Sequence, residues 1–266
     1  MPSSINKYLR RAELHIKAGE AAQAENLYKK VLTQFPQNKK AIRGYQKLKV
    51  PPQAEVDKLI GLFNSNQLRS AISLGNLLVG KFPRALILYE VLGAATMGLG
   101  ITSEARKHYL KVLDINPNHT DAYNNLGMIF YQKGRFLEAV ENYQKAVELE
   151  PNFADAHYNL GNSLVEMGDL EQAIKSYRVS LGINPNDVEL LKHFGDALKD
   201  YGEFEQAIEC YQKILKLDPS LTDIETDMEC VIQEMKDIEE LVSIYIKANK
   251  KKHSPAEVYS FRGSIL

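Results

Sequence analysis

Residues 120–153 read TDAYNNLGMIFYQKGRFLEAVENYQKAVELEPNF, and this stretch decides the fold. Its landmarks are Tyr123, Leu126, Gly127, Phe130, Gly134, Ala139, Tyr143, Ala146 and Pro151. The corresponding positions one period later hold His157, Leu160, Gly161, Leu164, Gly168, Ala173, Tyr177, Ser180 and Pro185, with both glycines, the alanine, the second tyrosine and the proline kept. A further period gives Leu191, Phe194, Gly195, Leu198, Gly202, Ala207, Tyr211, Ile214 and Pro219. One period upstream stand Tyr89, Leu92, Gly93, Thr96, Gly100, Ala105, Tyr109, Val112 and Pro117. Four repeats of about 34 residues therefore hold register without insertion or deletion, the length of one helix–turn–helix repeat.

Each repeat reads as two amphipathic helices, with apolar residues at i, i+3, i+4 and i+7. Glycine at position 8 lies inside the first helix, where it costs ~1 kcal/mol relative to Ala. Packing must offset that cost, and the alanine at position 20 of the second helix is expected to approach there. Glycine at position 15 supplies the left-handed backbone that ends the first helix. Proline at position 32 stops the second, because it cannot continue the hydrogen-bond ladder. One repeat cannot bury its apolar face alone, so it must stack on its neighbours.

This pattern resembles the tetratricopeptide repeat (TPR) family, which implies an all-α, right-handed α-solenoid. Ten of the 16 glycines fall at two repeat positions: Gly93, Gly127, Gly161, Gly195 and Gly263 at position 8, and Gly19, Gly100, Gly134, Gly168 and Gly202 at position 15. Residues 1–51 hold a first repeat (Tyr8, Ala12, Ala24, Tyr28, Pro36), an extra helix (Ala41, Ile42, Tyr45, Leu48) and a Val50-Pro51-Pro52 joint, either a bend or a rigid connection. Residues 52–255 are read as six stacked repeats: 52–85 (with Gly75 where tyrosine belongs), 86–119, 120–153, 154–187, 188–221 and a divergent 222–255. Ser254-Pro255-Ala256-Glu257 supplies a capping box, and 256–266 would be a partial first helix of an eighth repeat. An array that stops there is expected to be cut from a longer protein, or else to use the short helix as a natural cap.

Composition excludes several classes. At 44% apolar and 25% charged the chain is globular rather than disordered. A net charge of −1 argues against specific nucleic-acid binding, which needs a positive excess. No apolar run is long enough to cross a bilayer, and no apolar leader follows Met1. Cys210 and Cys230 fit no zinc or redox spacing and suit a reducing cytoplasm, the plain reading being two packed helical cysteines. The histidines fall at unrelated repeat positions, and no catalytic, cofactor-binding or metal motif is present. The expectation is no enzyme and no cofactor.

In the resembled family the concave groove is lined by positions 2, 5, 6, 9, 12 and 13 of the first helices. Carried onto this chain, the resemblance implies a peptide-binding groove of Asp121, Asn124, Asn125, Met128 and Tyr131, then Asp155, Tyr158, Asn159 and Asn162, then Glu189, Lys192, His193 and Asp196. An amide both donates and accepts, so repeated asparagines can bind a peptide backbone regardless of its side chains. Asn125 and Asn159 share one repeat position, similar to the asparagine ladder of O-linked N-acetylglucosamine transferases, although duplication alone would also repeat them. The carboxylate clamp of TPR cochaperones is not expected. Its cationic positions hold Asn124, Glu189 and His193 in one register, and Glu90, Asp155 and Asn159 in the other.

Charge is uneven. Residues 1–50 hold eleven Lys or Arg against three Glu, a net of +8. This points to an acidic partner, a membrane surface or nucleic acid, or to a plain solvated helical face. Lys250-Lys251-Lys252 needs no role beyond favouring a helix C-terminus. The functional reading is a non-catalytic, cytoplasmic scaffold binding a protein or peptide. An alternative is the recruiting arm of a larger enzyme of sulfotransferase, glycosyltransferase or oxygenase type, whose repeat layout this chain resembles. Self-association through an open C-terminal repeat is a third.

Overall fold

In a computed structural model, which describes residues 2–18, 20–48 and 50–249, the described residues form fourteen α-helices and no strand. The chain divides into two compact units, residues 1–129 and 130–266. Gly19 and the stretch 250–266, which includes Gly263, the three lysines, the capping box and the partial eighth repeat, lie outside the described residues.

The first unit holds α1 (Pro2–Lys17), α2 (Ala21–Gln34), α3 (Lys39–Lys47), α4 (Gln53–Asn64), α5 (Leu68–Lys81), α6 (Leu86–Gly98), α7 (Thr102–Ile115) and most of α8 (Thr120–Tyr131). Two apolar clusters contribute to its core. One joins α1, α2 and α3 around Ala12, Ala24, Tyr28, Ala41 and Leu48. The other joins α4, α5 and α6 around Leu59, Ala71, Leu78, Leu88 and Ala95. A polar bridge links elements on either side of the joint: Arg84 Nε donates to Glu25 Oε1 at 2.6 Å, with Lys29 on the same oxygen at 2.9 Å. Arg84 also approaches Asp114 of α7 at 3.7 Å.

The second unit holds the end of α8, then α9 (Phe136–Leu149), α10 (Ala154–Glu166), α11 (Leu170–Ile183), α12 (Val188–Tyr201), α13 (Phe204–Leu217) and α14 (Thr222–Asn249). Consecutive helices from α9 to α14 pack on each other, and α10 also meets α12. First helices thus stack on first helices, as a solenoid requires.

Local chemistry sets the boundaries. Gly100, Gly134, Gly168 and Gly202 all have positive φ, between 67° and 93°. After α10, Gly168 N–H donates to Val165 O and Asp169 N–H reaches back to Leu164 O, both at 2.9 Å. This is the left-handed termination that uses up otherwise orphaned carbonyls. The degenerate second repeat has Asn66 at this position, with φ +58°, asparagine being among the few non-glycine residues that tolerate it. Second helices end two residues before their prolines, as α9 does at Leu149 before Pro151.

Two expectations are corrected. The stretch read as a divergent helix pair, 222–255, has one unbroken helix from Thr222 to Asn249. Position 15 is Lys236 here, and no Gly or Pro occurs within the helix, so nothing ends the ladder. The position 8 glycines make room for the tyrosine at position 24 more than for the alanine. A Cβ at Gly93 would stand 2.7 Å from the Tyr109 ring, and one at Gly195 2.9 Å from the Tyr211 ring. The alanines are nevertheless sealed: Ala105, Ala139, Ala173 and Ala207 are fully buried.

Candidate functional site

The position 24 tyrosines do more than fill space. Tyr177 passes under Gly161 and its hydroxyl donates to Asn162 Oδ1 at 2.6 Å. One period on, Tyr211 donates to Asp196 Oδ1 at 2.7 Å. Burial drives both phenols far above their ordinary range, so they stay protonated donors. A second-helix tyrosine thereby fixes the side chain at position 9 of its own first helix. The sequence carries a signal for this that motif reading missed: a tyrosine fifteen residues after Asn162 and another fifteen after Asp196.

The best-defined polar cluster lies between α10 and α12. The Tyr158 hydroxyl is 2.9 Å from Glu189 Oε1 and 2.7 Å from His193 Nδ1. The rings of Tyr158 and His193 stack at 5.5 Å with 15° between their planes. Burial, reinforced by the Glu189 carboxylate, pushes the Tyr158 hydroxyl up to about 12, while a hydrogen bond from the Asn162 amide acts in the opposite direction. The accounting closes. A phenol has one proton and two acceptor sites. Tyr158 donates its proton to Glu189 Oε1, and its lone pairs face the Asn162 amide and the His193 ring.

The sequence-derived site residues separate into groups. Tyr158, Asn162, Glu189 and His193 form one network. Asp196 is tied to Tyr211, and Lys192 faces Asp227 of α14 at 3.5 Å. Asp155 is exposed in the first turn of α10, and Asn159 is half-buried one residue from Tyr158. Tyr131 packs edge-on against Phe136 at 5.5 Å and hydrogen-bonds Glu166. In the first unit Asp121 is exposed, while Asn125 and Met128 are half-buried. Asn124 departs from the expectation: it is 8% exposed, so it belongs to the packed interior.

The cysteine expectation holds for one residue only. Cys210 is buried, and burial pushes its thiol up to about 11, but Cys230 is exposed on α14. Among the described residues, no group of three or more His, Cys, Asp or Glu could hold a metal ion. No helix among them is long and apolar enough to cross a membrane.

Models of the tetratricopeptide repeat match residues 8–38, 154–187 and 188–221, and a further TPR repeat model matches 97–134 and 127–168. No curated protein matches the chain in sequence. Among solved structures, PilF of Pseudomonas aeruginosa is 18% identical, with a TM-score of 0.61 over 80% of this chain and 96% of its own. MamA of Desulfovibrio magneticus RS-1 is 20% identical, with a TM-score of 0.59 over 64% of this chain and 96% of its own. YrrB, described as a TPR protein with an unusual peptide-binding site, is 17% identical, with a TM-score of 0.57 over 76% of this chain and 97% of its own. At these identities the likeness is one of fold. The repeat models run without a gap from 97 to 221 and return at 8–38, over the same glycine, tyrosine and proline positions that set the helices, and the chain belongs to the tetratricopeptide repeat family.

Proposed function

We propose that this protein is a non-catalytic scaffold that binds a peptide or protein segment on its first helices, with the α10–α12 face as the central contact. The observation that carries the reading is the Tyr158–Glu189–His193–Asn162 cluster. Two successive first helices hold its side chains in fixed rotamers by mutual hydrogen bonds. Binding then costs less side-chain ordering, which is how a preorganised surface gains affinity. The outer edges keep recognition capacity. The second Glu189 oxygen and the exposed Asp155 present acceptors, the neighbouring Lys192 presents a donor, and His193 Nε2 presents one or the other according to its tautomer. This mix suits backbone amides and small polar side chains. That YrrB is described as having a peptide-binding site supports the same use of the fold.

The test is selection of peptides from a displayed random library on the full chain, followed by titration of a selected peptide against variants. His193→Ala and Asn159→Ala should each weaken binding by about tenfold, the scale of one lost hydrogen bond at an interface, with the helical circular-dichroism signal unchanged. Equal binding by wild type and both variants would remove this face as the site.

A further inference from the structure

The basic character of residues 1–50 acquires a shape in the first unit. A cleft of about 480 Å³ opens between α1 and α3, lined by Lys17, Lys39, Lys40, Arg43 and Lys47. Among the described residues Glu13 is the one acidic residue on its wall, and Ile16 and the Tyr28 ring supply apolar surface. A second depression of about 600 Å³ shares Ile16, Arg43 and Lys47 with the first, so the two adjoin. It adds Lys81 and an apolar lining of Leu48, Val50, Pro52 and Phe82. Val50 is 72% exposed, an unusual state for a β-branched apolar residue beside a cleft.

Two features set this trough apart from an ordinary solvated face. First, six cations line one trough against the single carboxylate of Glu13, and among the described residues none of the six is in an ion pair. Second, Lys39 and Lys40 occupy the first turn of α3, and that turn has no acidic residue. Cations are disfavoured there, because the helix dipole places its positive end at the N-terminus. The Asn38 side chain accepts from Ala41 N–H but brings no negative charge, so a ligand carboxylate would supply the charge this turn lacks.

We infer that this trough is a second docking site, for an acidic protein segment that carries an apolar anchor. Carboxylates of the segment pair with Lys39, Lys40 and Arg43 and relieve the first turn of α3. A large apolar side chain enters the depression beside Val50 and Phe82. The two arms distinguish this occupant from other polyanions. A nucleic acid or a phospholipid surface supplies charge but no side chain to fill the apolar arm, and the chain's net charge of −1 is poorly suited to either.

The measurement is fluorescence anisotropy on the full chain with a labelled short peptide of Glu and Asp flanking a Leu-Phe pair. Three comparison probes are an analogue with Ser-Gly in place of Leu-Phe, an unrelated DNA duplex, and vesicles containing phosphatidylserine. The Leu-Phe peptide should bind best. Its affinity should fall about tenfold in Lys40→Glu/Arg43→Glu, as expected when exposed charge pairs are reversed, and also fall in Val50→Ser. It should weaken with salt and be unaffected by His193→Ala, which separates this site from the α10–α12 face. The substituted residues are exposed, so unchanged helicity is expected and is checked by circular dichroism. The inference is overturned if the charge-reversed variant binds the Leu-Phe peptide as wild type does, if the Ser-Gly analogue binds equally well, or if duplex or vesicles bind more tightly through the same cations.

Discussion

Replacing Gly161 by alanine tests the tyrosine-under-glycine packing directly. On an exposed helix this change would stabilise, because alanine outranks glycine by about 0.8–1 kcal/mol. Here the added methyl overlaps three ring carbons of Tyr177. Tyr177 is 1% exposed and its hydroxyl is anchored on Asn162, so the ring has no empty space to enter. Forcing an extra methyl into a packed site costs about 1–3 kcal/mol. Displacing the hydroxyl loses a hydrogen bond worth about 0.5–1.5 kcal/mol. Against the propensity gain, the net expectation is a destabilisation of about 1–3 kcal/mol. The control lies in the same unit: a Cβ at Gly182, in the last turn of α11, meets nothing within 4 Å. Gly182→Ala should therefore leave stability unchanged or raise it by up to about 1 kcal/mol. Urea unfolding followed by circular dichroism reads both, compared through their midpoints because repeat arrays do not always unfold in a single step. If Gly161→Ala proves as stable as Gly182→Ala, the tyrosine does not occupy the glycine's space and the packing argument fails.

Two further changes probe the turn and the joint. Gly168, at φ +78°, should lose about 1–2 kcal/mol on substitution by alanine, and less by asparagine, since Asn66 already adopts this conformation in the second repeat; urea midpoints of the pair decide it. Arg84→Ala should cost about 1–3 kcal/mol, because it strips a charged hydrogen bond from Glu25, whose side chain is 12% exposed. Burial by itself would raise the Glu25 carboxyl, but hydrogen bonds from Lys29 and Arg84 outweigh it and hold the group below the ordinary value of 4.5. A depressed carboxyl contributes stability that is present above the unfolded-state value and is lost as pH falls through the folded one. The gap between wild type and Arg84→Ala should thus be constant near neutrality and shrink as pH drops below about 4.5. A gap independent of pH in unfolding curves would place the effect of Arg84 elsewhere.

Much of the fold is legible in one dimension because local chemistry enforces it. Glycine at position 15 must take a left-handed backbone, and proline at position 32 must end a helix, wherever they stand. A fixed period then turns these local rules into a stack. The last stretch misleads for the same reason. Met228, Ile232 and Leu241 keep the repeat's phase, but apolar phase alone does not make a turn, and without Gly or Pro the helix runs on to Asn249. The candidate site is less legible. Repeat position places Tyr158, Asn162, Glu189 and His193 on first helices, yet it also includes Asn124, which is buried.

Most of the helices, their order and the family follow from the sequence alone, the long helix after Thr222 excepted, since backbone propensity and periodicity are properties of neighbours along the chain. Only tertiary structure decides which side chains meet. The bond from Tyr177 to Asn162, the sharing of the Tyr158 hydroxyl between Glu189 and His193, and the hold of Arg84 on Glu25 across fifty-nine residues depend on how far two helices approach and which rotamers remain when they do. The unpaired cations of α1 and α3 belong to the same class. Their charge is written in the sequence, but that none of them forms an ion pair among the described residues, although Glu13 lies on the same wall, is a fact of packing.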